Sequence, residues 1–218
     1  MSRNLEFSIS EYYHLYNRGT EKRKIFLDDK DRERFLRLLY LCNTSKSIVF
    51  RDTIGLPLSA IDKKDVLVDI GCYCLMNNHF HLLIKEKIEE GISIYLGKLC
   101  TAYSMYFNIK YKRTGKLFEG SFKASHVDRD EYLKYLFAYI HLNPVKLLDS
   151  AMWKEKRIIN TNGIKTFLKN YRYSSYLDYI GVNREERLIL NKKVFPEYFE
   201  TKKDFENFVK DWMEYEEE

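Results

Sequence analysis

The stretch His79-Phe80-His81 carries the sharpest chemical signal in the chain. In an extended strand, alternate side chains share a face, so the two imidazoles project together while Phe80 and Leu82 point the other way. Two neutral imidazoles a two-residue step apart can hold one divalent cation through nitrogen. Taken alone the spacing fits a structural or surface pair equally well, and a catalytic reading needs a third ligand and a nucleophile. Tyr139 and Asn143 are candidates for both. They lie four apart in a helical run, hence one turn apart on one face. That face borders the apolar stripe of Leu133, Leu136, Phe137 and Ile140, so the Tyr139 hydroxyl can reach solvent and the Asn143 carbonyl can reach a metal. The bland alternative is that Tyr139 is one more rim aromatic beside Tyr132 and Tyr135.

The elements that must position these residues read as follows. Residues 12–18 are β-prone and end at Gly19. A helix runs from Asp28-Asp29 to about Cys42, with Phe35, Leu38 and Leu39 at helical spacing. Residues 43–65 form an irregular connection. Val66–Met76 and His79–Lys85 form two strands about the turn Asn77-Asn78. A second helix covers 91–110, a fourth strand 117–127, and a third helix 130–142, closed by Asn143-Pro144. The order β-α-β-β-α-β predicts an α+β, ferredoxin-like split arrangement with an antiparallel sheet. We assign 1–148 to this unit and its helix. Residues 149–218 are assigned to a mostly helical extension, which includes Tyr171-Arg-Tyr-Ser-Ser-Tyr176 and a helix around 202–212.

Five ordered segments together resemble the HUH single-tyrosine transposases, most nearly the REP-associated branch. Met76-Asn-Asn-His-Phe-His-Leu-Leu83 is similar to the metal motif of that family. Tyr13-His-Leu-Tyr-Asn-Arg-Gly19, with Ile25-Phe26 and Asp31, is similar to its first strand and helix. Gly115-Lys-Leu-Phe-Glu-Gly-Ser-Phe-Lys123 resembles its G-x-x-F-x-G-x-F-K stretch, and Tyr139-Ile-His-Leu-Asn-Pro-Val145 its Y-I-H-x-N-P-V signature. Tyr171–Tyr176 with Gly181 resembles its W-S-S-Y stretch, with Tyr173 in place of Trp. The resemblance spans residues 12 to 181. It implies a nucleophile at Tyr139 and a metal held by His79, His81 and Asn143, with Mg²⁺ or Mn²⁺ as the cation. It also implies single-strand DNA cleavage through a 5′-phosphotyrosine intermediate on hairpin or palindromic targets, by a monomer or a homodimer. His141, in the same signature, points to another side of the helix and is read as structural or phosphate-contacting.

Composition fits a polyanion partner. The chain of 218 residues has net charge +5, and its last eight residues hold five acids and no base, which leaves +10 on the rest. Residues 110–123 mix Lys110, Lys112, Arg113, Lys116 and Lys123 with Tyr111, Phe118 and Phe122, types that contact phosphates and stack on unpaired bases. Arg18, Lys22, Arg23 and Lys24 form a second basic cluster. Either group can instead be a solvated charged turn. The acidic end, Glu214 to Glu218, is expected to be dispensable for chemistry. Cys72 and Cys74 beside His79 and His81 raise the alternative of a structural zinc, at a spacing unlike the usual knuckles. With no signal peptide, no membrane-length apolar run and no disulfide spacing, the expected location is the cytoplasm, at the nucleoid. Two rival functions share these residues: an HUH nickase of a replication or mobilisation system, and a domesticated DNA-binding protein that no longer cuts.

Overall fold

The computed structural model describes residues 6–47, 49–148 and 161–215. Four strands, β1 (Tyr12–Arg18), β2 (Val68–Leu75), β3 (His79–Glu86) and β4 (Lys123–Val127), form one sheet in the order β2-β3-β1-β4. Every neighbouring pair is antiparallel. With α1 (Asp29–Leu41) between β1 and β2, and α2 (Gly91–Lys110) between β3 and β4, this is the split β-α-β-β-α-β topology expected from the sequence.

The sheet divides the core. Leu15, Phe80, Leu82 and Ile84 face α1 and α2 and pack with Phe35, Leu39, Leu96 and Tyr103. Cys72, Cys74, Leu83 and Val127 face the other way. That second face is covered by α3 (Asp130–Leu142), whose Leu133, Leu136, Phe137 and Ile140 are all buried. The predicted apolar stripe is therefore the docking surface of α3. Burying each such side chain contributes roughly 1.5–3 kcal/mol.

Helix α1 starts at a capping box in which Asp28 accepts from the Asp31 amide and Asp31 accepts from the Asp28 amide. The Asp31 side chain is fully buried, and it also accepts from Tyr106, Tyr111 and Lys110 at the end of α2. One carboxylate thus joins the start of one helix to the end of the other.

The fourth strand is shorter than the 117–127 expected. Leu117 and Phe118 enter the core and pair with the chain just past β1, but regular pairing begins only at Lys123. Gly120, whose carbonyl accepts from the Asn17 side chain, lies in the interruption. The connection 43–65 is irregular apart from two short 3-10 turns at Phe50–Thr53 and Leu58–Ala60.

The C-terminal residues form α4 (Thr161–Asn170), α5 (Tyr176–Tyr179) and α6 (Lys202–Tyr215). They run along the outer edge of β2. Leu75 N–H donates to Tyr173 O, Ser175 N–H to Tyr73 O, and the Tyr179 hydroxyl to Gly71 O. Gly71 is needed there because a Cβ would meet the Phe195 ring at 2.7 Å. Arg184 clamps this edge with a two-nitrogen contact to buried Asp178 and a bond to the Tyr73 hydroxyl. The boundary expected at residue 148 adjoins residues 149–160, which lie outside the described residues. The acidic end beyond Met213 lies outside the residues whose side chains are described.

His141 is the knot between α3 and this edge. Fully buried, it donates from Nδ1 to the Phe137 carbonyl at 2.7 Å, and its Nε2 accepts from the Ser175 hydroxyl at 2.7 Å. Ser175 Oγ in turn accepts from the Tyr73 amide at 2.9 Å. Burial, with a lesser effect of Lys192, lowers the His141 pKa to about 3. Of the two roles read for His141, the structure supplies the structural one.

The linkage has a definite sign. A folded pKa below the unfolded value of about 6.5 means that the unfolded chain binds a proton the native chain refuses. The stability His141 contributes is complete above pH 6.5 and is lost as pH falls towards 3. The slope is at most about 1.4 kcal/mol per pH unit. In urea titrations between pH 7 and 4, His141→Gln should show a shallower pH dependence than wild type. Parallel curves would mean that His141 is not held neutral.

Candidate active site

The face of the sheet on which α3 packs carries three histidines rather than two. Arg18 pairs with His79 and Tyr16 with His81 across β1 and β3. His14, two residues before Tyr16, shares their face. Its Nε2 lies 2.9 Å from His81 Nδ1, and the rings stack at 5.1 Å. His79 and His81 stand edge to face at 4.9 Å, as the alternation of a strand requires. Helix α3 then sets Tyr139 over the group, its ring 5.5 Å from that of His81 and 5.9 Å from that of His14. The predicted nucleophile therefore touches one member of the sequence-predicted pair, His81, whose ring in turn meets His79, although His81 and Tyr139 are 58 positions apart in the chain.

Tautomers follow from the hydrogen bonds. Asn78 donates through Nδ2 to the Lys22 carbonyl, which turns its Oδ1 to His79 Nδ1 at 2.6 Å. An amide oxygen only accepts, so His79 Nδ1 carries the proton and Nε2 keeps a bare lone pair. For His81 the arrangement that frees Nε2 has Nδ1–H donating to His14 Nε2. A neighbour on the far nitrogen is the usual way to orient a metal-binding imidazole.

All three rings are held neutral. Burial lowers His14 to about 4. Burial, then Lys146 and Arg18, lower His79 to about 4. His81 is driven well below its ordinary value by burial and then by its two histidine neighbours and Lys146. No carboxylate contributes to any of the three shifts.

Asn143 caps the end of α3 and is 2% exposed. Its Nδ2 donates to the Tyr139 carbonyl at 3.0 Å, so its donor capacity is spent in part on the helix and its oxygen is the atom suited to a cation. Two neutral imidazole nitrogens and an amide oxygen fit Mg²⁺ or Mn²⁺ that also takes phosphate oxygen. Among the described residues, no group of three or more His, Cys, Asp or Glu is arranged to hold a metal. The contact the structure gives His14 is to His81, through its Nε2. Cys74 pairs with His81 and shares its face, but burial pushes the Cys72 and Cys74 thiols up, away from the thiolate that zinc requires.

The predicted DNA-contacting residues divide. Lys112, Lys116 and Lys123 are exposed. Lys110 is not free: its ammonium is held by Asp28 and Asp31 at 2.7 Å each. Arg18 is paired with Glu119 at 3.0 Å, and Arg113 donates to Asn108 at 2.8 Å. Phe118 is a correction to the sequence reading. At 6% exposure it belongs to the core, wedged near Phe80 and Tyr103, so no base can stack on it. Phe122 is partly buried and stacks with Phe7 at 6.2 Å. Core and stacking aromatics look alike in sequence, and only burial separates them.

Sequence reasoning missed His14, Asn78 and Lys146. The first has a faint signal, since it alternates with Tyr16 in the first strand. Nothing in the sequence sets the register that brings it to His81.

Residues 58–143, which contain His79, His81, Tyr139 and Asn143, match the family model described as Transposase IS200 like. No curated protein matches the chain in sequence. Among solved structures, that of the REP-associated tyrosine transposase bound to a REP hairpin superposes with a TM-score of 0.51. The match covers 85% of this chain and 90% of that one, at 12% identity.

The role of His14 predicts a measurable effect. His14→Ala leaves both metal-pair imidazoles in place but frees His81 to turn, and should weaken Mn²⁺ binding by about 10- to 100-fold. Calorimetric titration of wild type and variant decides this, and equal affinities would remove His14 from the site.

Two findings thus agree with the motif resemblance: residues 58–143 match the IS200-like transposase model, and the fold of the chain is similar to that of a solved REP-associated tyrosine transposase.

Proposed function

We propose that this protein is a transposase-type, metal-dependent enzyme that cuts and rejoins single-stranded DNA near hairpins or palindromic repeats, with Tyr139 as nucleophile. The observation that carries the reading is the half-buried Tyr139 ring set against His81, whose own ring meets His79 on the same sheet face.

Each residue has a defined task. His79 and His81, neutral and oriented by Asn78 and His14, would hold the cation together with the Asn143 oxygen. A bound Mg²⁺ or Mn²⁺ draws charge from the scissile phosphate and favours in-line displacement. The Tyr139 oxygen attacks phosphorus, forming a tyrosyl–phosphorus bond as the bond to the 3′ oxygen breaks. The phenol proton is released and the departing 3′ oxygen takes one up, leaving a 3′ hydroxyl and a 5′ phosphotyrosine. In the reverse sense, a 3′ hydroxyl attacks the phosphotyrosine and restores the phosphodiester, with no ATP required. The rigid α3 matters because it fixes both the attacking oxygen and Asn143.

Exposed Lys112, Lys116 and Lys123 would receive the DNA backbone, and Arg18 would join them if DNA displaced Glu119. The partner inferred is a folded single strand. No described helix is long and apolar enough to cross a membrane.

Replacing only the attacking oxygen tests the proposal. Tyr139→Phe should fold, bind Mn²⁺ and bind a hairpin oligonucleotide as wild type does, yet cut it at least about 10³-fold more slowly. Cleavage at the wild-type rate by Tyr139→Phe would defeat it.

A further inference from the structure

The site has an imbalance of charge that its metal ligands do not explain. His79, His81 and Asn143 are all uncharged, and no carboxylate acts on the histidines. A divalent cation held there keeps its full charge. Two further cations flank the pair. Arg18 is neutralised by Glu119 at 3.0 Å. Lys146 is not: among the described residues it has neither a hydrogen bond nor an ion pair. Its Nζ stands over the Tyr139 ring, 4.7 Å from the centroid. The short 3-10 turn Asn143–Leu147, entered through Pro144, fixes its backbone beside the end of α3. Among the described residues, Lys146 is therefore an exposed ammonium with no hydrogen-bond or ion-pair partner, beside the nucleophile.

An unpaired cation beside a cation site opposes metal binding unless an anion joins them. The anion that chemistry brings to this point is a phosphate. Resting on the reading of His79 and His81 as the metal pair, we propose that Lys146 is a second cation for the scissile phosphate, which couples binding of the metal to binding of DNA. With the site empty of DNA, Lys146 and the metal repel. With a phosphate between them, both gain, and the oxygens left uncovered by the metal meet the ammonium. Lysine suits this task as a compact point charge on a flexible stem. The coupling must be reciprocal: the factor by which DNA raises metal affinity is the factor by which metal raises DNA affinity. A metal that binds well only with DNA also leaves the free protein without a loaded cutting site.

The test uses equilibrium binding rather than turnover. In a Tyr139→Phe background, Mn²⁺ affinity is measured by calorimetry or electron paramagnetic resonance, with and without a short mixed-sequence single-stranded oligonucleotide. In the protein with Lys146 intact, the oligonucleotide should raise Mn²⁺ affinity by about tenfold or more. Lys146→Met keeps the stem over the tyrosine but removes the charge. It should bind Mn²⁺ about threefold more tightly without DNA and lose most of the gain that DNA confers. Lys146→Arg should retain the gain, which separates charge from packing. Lys146→Met that matches the parent in both conditions overturns the role of Lys146 and leaves the metal pair standing. Failure of every protein to bind Mn²⁺, with or without DNA, overturns the metal pair and the inference with it.

Discussion

Helix α3 lies on the face of the sheet opposite α1 and α2, and the site depends on that packing. A four-stranded sheet of this topology has both of its connecting helices on one side, so its other face must be covered. Leu133, Leu136, Phe137 and Ile140 meet Cys72, Cys74, Leu83 and Val127 there. Tyr139 stands at the margin of the contact, where the stripe ends and the histidines begin. The apolar burial that stabilises the fold also sets Tyr139 against His81. His141, two residues on and on another side of the helix, ties the same helix to Ser175 and β2. The helix is therefore held on two sides, by apolar burial and by a buried polar bond.

Burial has a second consequence. The imidazoles sit in surroundings that disfavour charge, so they stay neutral well below neutral pH and keep lone pairs available. The hydrogen bonds from Asn78 and His14 then select which nitrogen is bare. Among the described residues no carboxylate acts on the three rings. On the proposed reading, charge balance would be left to the substrate: a phosphate would complete the ligand set and meet Lys146, so the site would be electrostatically complementary to the complex rather than to the free metal.

Much of this was legible in sequence because it rests on local period. Alternation placed His79 and His81 together, the helical period placed Tyr139 beside a stripe, and Asp28-Asp29 marked a helix start. The turn residues Asn77-Asn78 marked the hairpin. What was not legible depends on register and burial. His14 becomes a partner of His81 only through the β1–β3 pairing. Lys110 reads as a basic group of a DNA-binding loop, yet two aspartates from α1 hold it. Phe118 reads as a stacking aromatic, yet it fills the core. The early part of the expected fourth strand fails because residues 120–122 break the pairing before Lys123. In each case the deciding neighbour is distant in the chain.

The central claim is that Tyr139, and no other tyrosine, forms the bond to DNA. Tyr135 and Tyr132 stack in series behind it on the same helix, at 5.6 Å and 6.2 Å between successive rings, and are the natural competitors. The direct measurement incubates wild-type protein and Mg²⁺ with a hairpin oligonucleotide labelled 3′ of the cut, isolates the DNA-linked band under denaturing conditions, and maps the linked peptide by mass spectrometry. The account predicts a single adduct at Tyr139, through the 5′ phosphate. An adduct at Tyr135 or Tyr132, or cleavage with no protein–DNA adduct, would contradict it; the latter would make the enzyme a hydrolytic nuclease.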